Sequence, residues 1–129
     1  MASSYTEPES ANKGTISDFD LIRLYGEHLV HYIRKNVNHT ANYDKPLEGL
    51  NIIVDAGNGA GGFFAEKVLQ PLGADTSGSQ FLDPDGMFPN HVPNPEDEAA
   101  MESVKNATID TKADLGIIFD TDVDRAAIV

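Results

Sequence analysis

A glycine run set between two apolar segments does most to limit the fold. Gly57-Asn58-Gly59-Ala60-Gly61-Gly62 follows the stretch Gly49 to Asp55, and a segment from Ala60 to Leu72 grows out of it. The first stretch (GLNIIVD) is short, apolar, rich in β-branched residues and closed by glycines, which reads as a buried strand. The second puts Phe63, Phe64, Val68 and Leu72 on one side of a helix. Gly73 stops that helix, and Pro71 sits in its last turn or just beyond. Ala74 to Leu82 reads as a weaker second strand. Strand, helix and strand in about 30 residues make a right-handed βαβ unit.

The flanking segments extend the same pattern. Ser17 followed by Asp20 resembles a capping box, with aspartate where glutamate is usual. Phe19, Ile22, Tyr25, Leu29, Ile33 and Val37 then recur at the helical period, and Gly26 weakens the middle of that helix. It is expected to end near Val37, before the polar stretch Asn38 to Lys45. Residues 83–95 (DPDGMFPNHVPNP) form turns. Asn94 as cap, Pro95 at the first helical position and the acids Glu96, Asp97 and Glu98 start another helix. It turns Ala100, Met101 and Val104 towards the core and ends near Ala107. Asp114 to Phe119 is the most strand-like run, and Ala126 to Val129 begins another. The expected fold is α/β: a three-layer α/β/α domain over residues 17–129, with a small mixed sheet and a C-terminal hairpin. Residues 1–16 read as a linker or remnant.

Composition narrows the function classes. A chain of 129 residues supports one domain. Its 9 basic and 21 acidic side chains give a net charge of −12, which argues against nucleic acid and against an anionic membrane surface. With no cysteine there is no disulfide frame and no thiolate zinc site. No apolar stretch is long enough to span a bilayer, and residues 1–9 have neither the form of a secretory signal nor the arginines of a transit peptide. A cytoplasmic setting is the default expectation, with an organelle left open.

The chemistry-bearing motif is Phe119-Asp120-Thr121-Asp122-Val123-Asp124-Arg125, which joins the last two strands. Three carboxylates at alternate positions can be folded towards one point by a tight loop. Packed that closely they repel one another at neutral pH unless a cation or protons relieve them. A hard, oxygen-seeking cation such as Mg²⁺ suits them, held at roughly 2.0–2.1 Å. Arg125 adds a fixed charge suited to bidentate phosphate binding. A solvated acidic hairpin is the plain alternative. An EF-hand fails, because its sixth position would be Arg125 instead of glycine. An aspartate-nucleophile phosphatase of the haloacid-dehalogenase type, with Asp120 attacking, remains open, although Asp124 stands where that motif has threonine or valine.

The glycine run also matches G-x-G-x-x-G in a strand-to-helix setting, so a Rossmann-like nucleotide module using Gly57 to Gly62 is a further alternative. Asp55 speaks against it, placing a carboxylate near where a pyrophosphate would lie. Glycines that merely permit a tight strand-to-helix turn and close packing explain the run better. His28, His31 and His39 lack ligand-pattern partners and read as surface or groove residues. His91, on a proline-rich loop, is the histidine that a functional cleft could use.

Four segments in order resemble the second domain of the α-D-phosphohexomutases, the phosphoglucomutase and phosphomannomutase superfamily. They are VDAGNGAGG, FFAEKVLQPLGAD, FPNHVPNPE and DLGIIFDTDVDR, within about residues 46–129. The family loop is usually written D-[GP]-D-x-D-R, and Thr121 departs from the small residue there. The resemblance implies a four-domain enzyme that moves a phosphoryl group between the 1- and 6-positions of a hexose phosphate, through a phosphoserine and a bisphosphate. It implies that Asp120, Asp122 and Asp124 bind Mg²⁺ with a phosphoserine oxygen, and that Arg125 sits beside that phosphate. The partners implied are the other domains of the same enzyme and the hexose phosphate. The Ser-His-Asn-Pro stretch of the first domain, the sugar-reading loop of the third and the phosphate loop of the fourth are not in this sequence. The domain alone is therefore expected to be inactive, and which hexose is used stays open.

Overall fold

The structure is a computed structural model and describes residues 14–129; most of the expected linker over residues 1–16 lies outside them. Helix α1 spans Leu21–Val37, strand β1 Ile52–Asp55, helix α2 Glu98–Thr111, strand β2 Leu115–Phe119 and strand β3 Ala126–Ile128. The sheet order is β1-β2-β3. β1 and β2 run parallel, with Ile52 opposite Leu115 and Asp55 opposite Ile118. β2 and β3 form the antiparallel hairpin, with Phe119 opposite Ala126.

Between β1 and α2 lies one continuous helical segment of changing pitch. It opens as a 3₁₀ turn at Ala60–Gly62, widens to a π-type turn at Ala65–Leu69 and closes as a 3₁₀ turn at Gln70–Leu72. Pro71 has no N–H for the ladder, and Gly73 ends the segment in the left-handed region at φ 95°. One side of the segment meets Ile52, Val54 and Phe119 of the sheet through Ala65 and Leu69. The other meets Val30 of α1 through Val68 and Leu72. On the opposite sheet face, Ala100 and Val104 of α2 cover Ile118. Helices thus cover both faces of a small mixed sheet, as expected for an α/β/α domain, with α1 stacked outside.

Several expectations need correcting. The capping box at Ser17 does not form, because Asp20 is itself the cap: its carboxylate accepts from the Arg23 N–H at 3.0 Å. Aspartate is as good a cap as serine, and it lies next to the first residue of the apolar repeat. Gly26 is no weak point either, since a Cβ there would lie 3.2 Å from the Lys67 Cβ; it lets α1 approach the 60–72 segment. Nor is there a regular second strand over 74–82. The chain returns parallel to β1 but pairs with it at two isolated bridges, Asn51 with Asp75 and Asp55 with Gln80, and the Ser79 hydroxyl accepts from the Val54 N–H. Between them Asp75 accepts from the Ser77 N–H and Ser79 donates to the Thr76 carbonyl, so local turn chemistry wins over the ladder.

Helix α2 also starts later than expected. Asp97 caps it, accepting from the Ala100 N–H at 3.0 Å, while Asn94 closes a separate turn through its carbonyl and the Asp97 N–H. It runs to Thr111, well past Ala107. Thr108 and Thr111 donate their hydroxyls to carbonyls one turn back, which accommodates polar residues in that last stretch.

Candidate metal centre

Parallel pairing brings the carboxyl ends of β1 and β2 to the same rim, the usual place for a site in an open α/β sheet. The loop after β2 is closed by the Asp120 N–H donating to the Arg125 carbonyl at 3.1 Å. Asp120 is buried, with 3% of its side chain exposed. Its two oxygens accept from the Arg125 N–H and from Arg125 Nε, each at 3.1 Å. Asp122 and Asp124 are exposed. One carboxylate oxygen from each of the three lies within 4.8 Å of the others.

The charges in this loop answer to one another. Burial alone would push Asp120 up, but hydrogen bonds from the Arg125 backbone, from Asp124 and from the guanidinium hold it below the usual aspartate value. Asp124 is pushed up by its hydrogen bond with Asp120 and by the charges of Asp120 and Asp122. The hydrogen bond to Asp120 pushes Arg125 further up. The mutual repulsion that raises Asp124 is the kind of strain that a bound cation relieves. Oxygen donors only, three charges and two solvent-facing carboxylates fit a hard divalent cation.

Two neighbouring loops hold this one in place. The Ala60 N–H, at the start of the 60–72 segment, donates to the Thr121 carbonyl at 2.9 Å. Asn94 Oδ1 accepts from Arg125 Nη1 at 3.4 Å, and Glu96 lies 3.7 Å from the same nitrogen. Val123 takes φ 68°, costly for a β-branched residue, and its side chain packs against the core beneath the loop. The sequence carries no signal for Val123 or for the Ala60 contact. Asn94 is conspicuous as a helix-cap type, but its second role needs the fold.

The glycine run serves the chain's own packing. A Cβ at Gly57, which has φ 53°, would lie 2.8 Å from the Pro93 Cβ and 2.9 Å from His91 Cε1. One at Gly62 would run into the Leu82 carbonyl. Gly57 and Gly62 are thus accounted for by the close approach of His91, Pro93 and Leu82. Asp55, whose charge argues against a nucleotide, is fully buried under His91, with Nε2 at 2.9 and 3.1 Å from its two oxygens. Beside the run, Asn58, Ala60, Asp85, Phe88 and Thr121 line an open cavity of about 240 Å³. His28, His31 and His39 are exposed, and His39 only accepts from the Asn42 N–H. No helix among the described residues is long and apolar enough to cross a membrane.

Fold and site together define a class: an α/β/α domain that carries a cation-competent aspartate loop at the rim of its parallel strands. Residues 25–129 match the family model for "Phosphoglucomutase/phosphomannomutase, alpha/beta/alpha domain II". A phosphoglucomutase from Neisseria gonorrhoeae is 32% identical over 117 residues, 91% of this chain and 23% of that protein. A phosphomannomutase from Escherichia coli is 32% identical over 121 residues, 91% of this chain and 25% of that protein. The crystal structure of a phosphoglucomutase/phosphomannomutase family protein from Burkholderia thailandensis superposes with a TM-score of 0.65 at 29% identity, covering 86% of this chain and 22% of that one. The chain belongs to the phosphoglucomutase/phosphomannomutase family. It spans about a quarter of the length of these relatives.

Proposed function

We propose that residues 17–129 are the cation-holding domain of a hexose-phosphate mutase. The observation that carries this reading is the convergence of three carboxylates, one buried and locked by Arg125, two open to solvent. Asp120, Asp122 and Asp124 would hold Mg²⁺, whose bound charge would stabilise a phosphoryl group in transfer. Asp120 is the preset ligand, because Arg125 fixes both its oxygens before any cation arrives. Asp122 and Asp124 supply the remaining charge from the solvent side. The Arg125 guanidinium, 51% exposed, keeps a face open towards a phosphate.

On this reading the whole enzyme interconverts hexose 1- and 6-phosphates through a phosphoserine supplied by another domain. The other domains of that enzyme and the hexose phosphate are the partners. The present chain alone is inactive. The test is a coupled mutase assay on the full-length protein with glucose, mannose and glucosamine 1-phosphates, Mg²⁺ and a trace of bisphosphate. Turnover that collapses in Asp122→Asn is the expected result. Undiminished turnover in that variant, or turnover above the buffer blank for the 129-residue chain, would overturn it.

A further inference from the structure

The loop from Phe88 to Pro95 touches no carboxylate of the triad, yet it carries a buried histidine bonded at both ring nitrogens. Nε2 of His91 faces both oxygens of Asp55, and Nδ1 lies 3.0 Å from the Val92 carbonyl oxygen. The Asp55 carboxylate can only accept, so Nε2 carries the N–H donated to it. Asp55 is in turn fixed at the end of β1 by the Gly57 N–H, Gln80 Nε2 and the Ser103 hydroxyl, all at 2.8–2.9 Å. His91 is 36 positions from Asp55 in sequence, so this pair clasps the loop onto the strand. Three residues on, Asn94 reaches Arg125 Nη1, and Glu96 stands beside it. Arg125 then grips both oxygens of Asp120.

We propose that His91 is a positioning residue for the aspartate loop: it holds Asn94 and Glu96 where they orient Arg125 against Asp120. Its importance for function rests on the cation reading above; its geometry does not. A histidine that only filled space would be replaced by leucine without effect on Arg125. A donor to Asp55 is what the role requires, and glutamine retains one.

The test is ¹⁵N NMR of the 129-residue chain with chelator present, following exchange of the Arg125 Nε–H with solvent. His91→Leu and Asn94→Ala should each speed that exchange roughly tenfold, the order expected for losing one supporting hydrogen bond. His91→Gln should recover part of the protection. Unchanged Arg125 exchange in a His91→Leu chain whose Val104 and Ile118 amides keep their native shifts would overturn the proposal. Should His91→Leu fail to fold, His91→Phe decides in its place, and unchanged Arg125 exchange in a folded His91→Phe chain would overturn the proposal. Broadening of Asp122 and Asp124 signals by Mn²⁺ tests the cation reading separately, so either idea can fall alone.

Discussion

The Ala60 N–H and the Thr121 carbonyl are joined at 2.9 Å, which ties the glycine turn after β1 to the aspartate loop after β2. Gly59 makes the approach possible, because a Cβ there would lie 2.9 Å from the Thr121 oxygen and 3.0 Å from its Cα. Gly59→Ala should therefore push the two loops apart. The expected cost is about 1–3 kcal/mol in urea unfolding, the usual range for overpacking, together with weaker Mn²⁺ binding. A variant with the wild-type midpoint and affinity would show that the loops are independent.

Asp122 is exposed and has no hydrogen-bond or ion-pair partner among the described residues. Asp122→Asn should leave the unfolding midpoint almost unchanged while lowering Mn²⁺ affinity at least tenfold, about 1.4 kcal/mol. Isothermal titration beside a urea melt separates the two effects. Equal affinity in both proteins would remove Asp122 from the ligand set.

The two coupled aspartates give a pH signature with a definite sign. Asp120 titrates below the usual aspartate value, so its contribution to stability is present above that value and is lost as pH falls through the folded one. Asp124 is shifted up, so its contribution is present below the usual value and is lost as pH rises through the folded one. Carboxyl ¹³C titration in chelator should find Asp120 below and Asp124 above an ordinary exposed aspartate. Adding Mg²⁺ should bring the Asp124 midpoint down, because a bound cation offsets the charges of Asp120 and Asp122 that raise it. A midpoint indifferent to Mg²⁺ would count against Asp124 as a ligand.

Asp55 is buried with four partners, so its removal strands several donors at once. Asp55→Ala should cost several kcal/mol, about 1–3 kcal/mol for each buried donor left unpaired. Loss of less than about 1 kcal/mol, the size of a typical surface pair, would mean that water replaces the carboxylate in the fold.

Much of this architecture was legible because periodicity and glycine placement are local signals. The repeat from Ile22 to Val37, the run Ile52 to Asp55 and the three alternating aspartates each announce themselves within a few residues. Where two local signals competed, the outcome needed the fold. Asn94 and Asp97 are both good caps, and the helix took the one nearer Ala100 and Val104. Asp75, Thr76, Ser77 and Gly78 could extend or turn, and the Asp75 carboxylate, accepting from the Ser77 N–H, favours the turn. The link from His91 to Asp55, and from Asn94 to Arg125, spans about a quarter of the chain and has no sequence pattern at all. The sequence named the donors of the candidate site but not the scaffold that aims them.

The β1–β2 pairing also has a temporal consequence. Asn51 bonds Asp114 across 63 positions, so β1 cannot find its neighbour until the glycine turn, the helical segment and α2 have all been traversed. Parallel pairings of such separation close late, after local helices have formed. The three aspartates are adjacent in the unfolded chain and attract cations loosely there. The hairpin bonds that close their loop are local, but the Ala60 N–H that braces it at Thr121 comes from across this pairing, so, on the cation reading, the tightest capture should report the completion of folding.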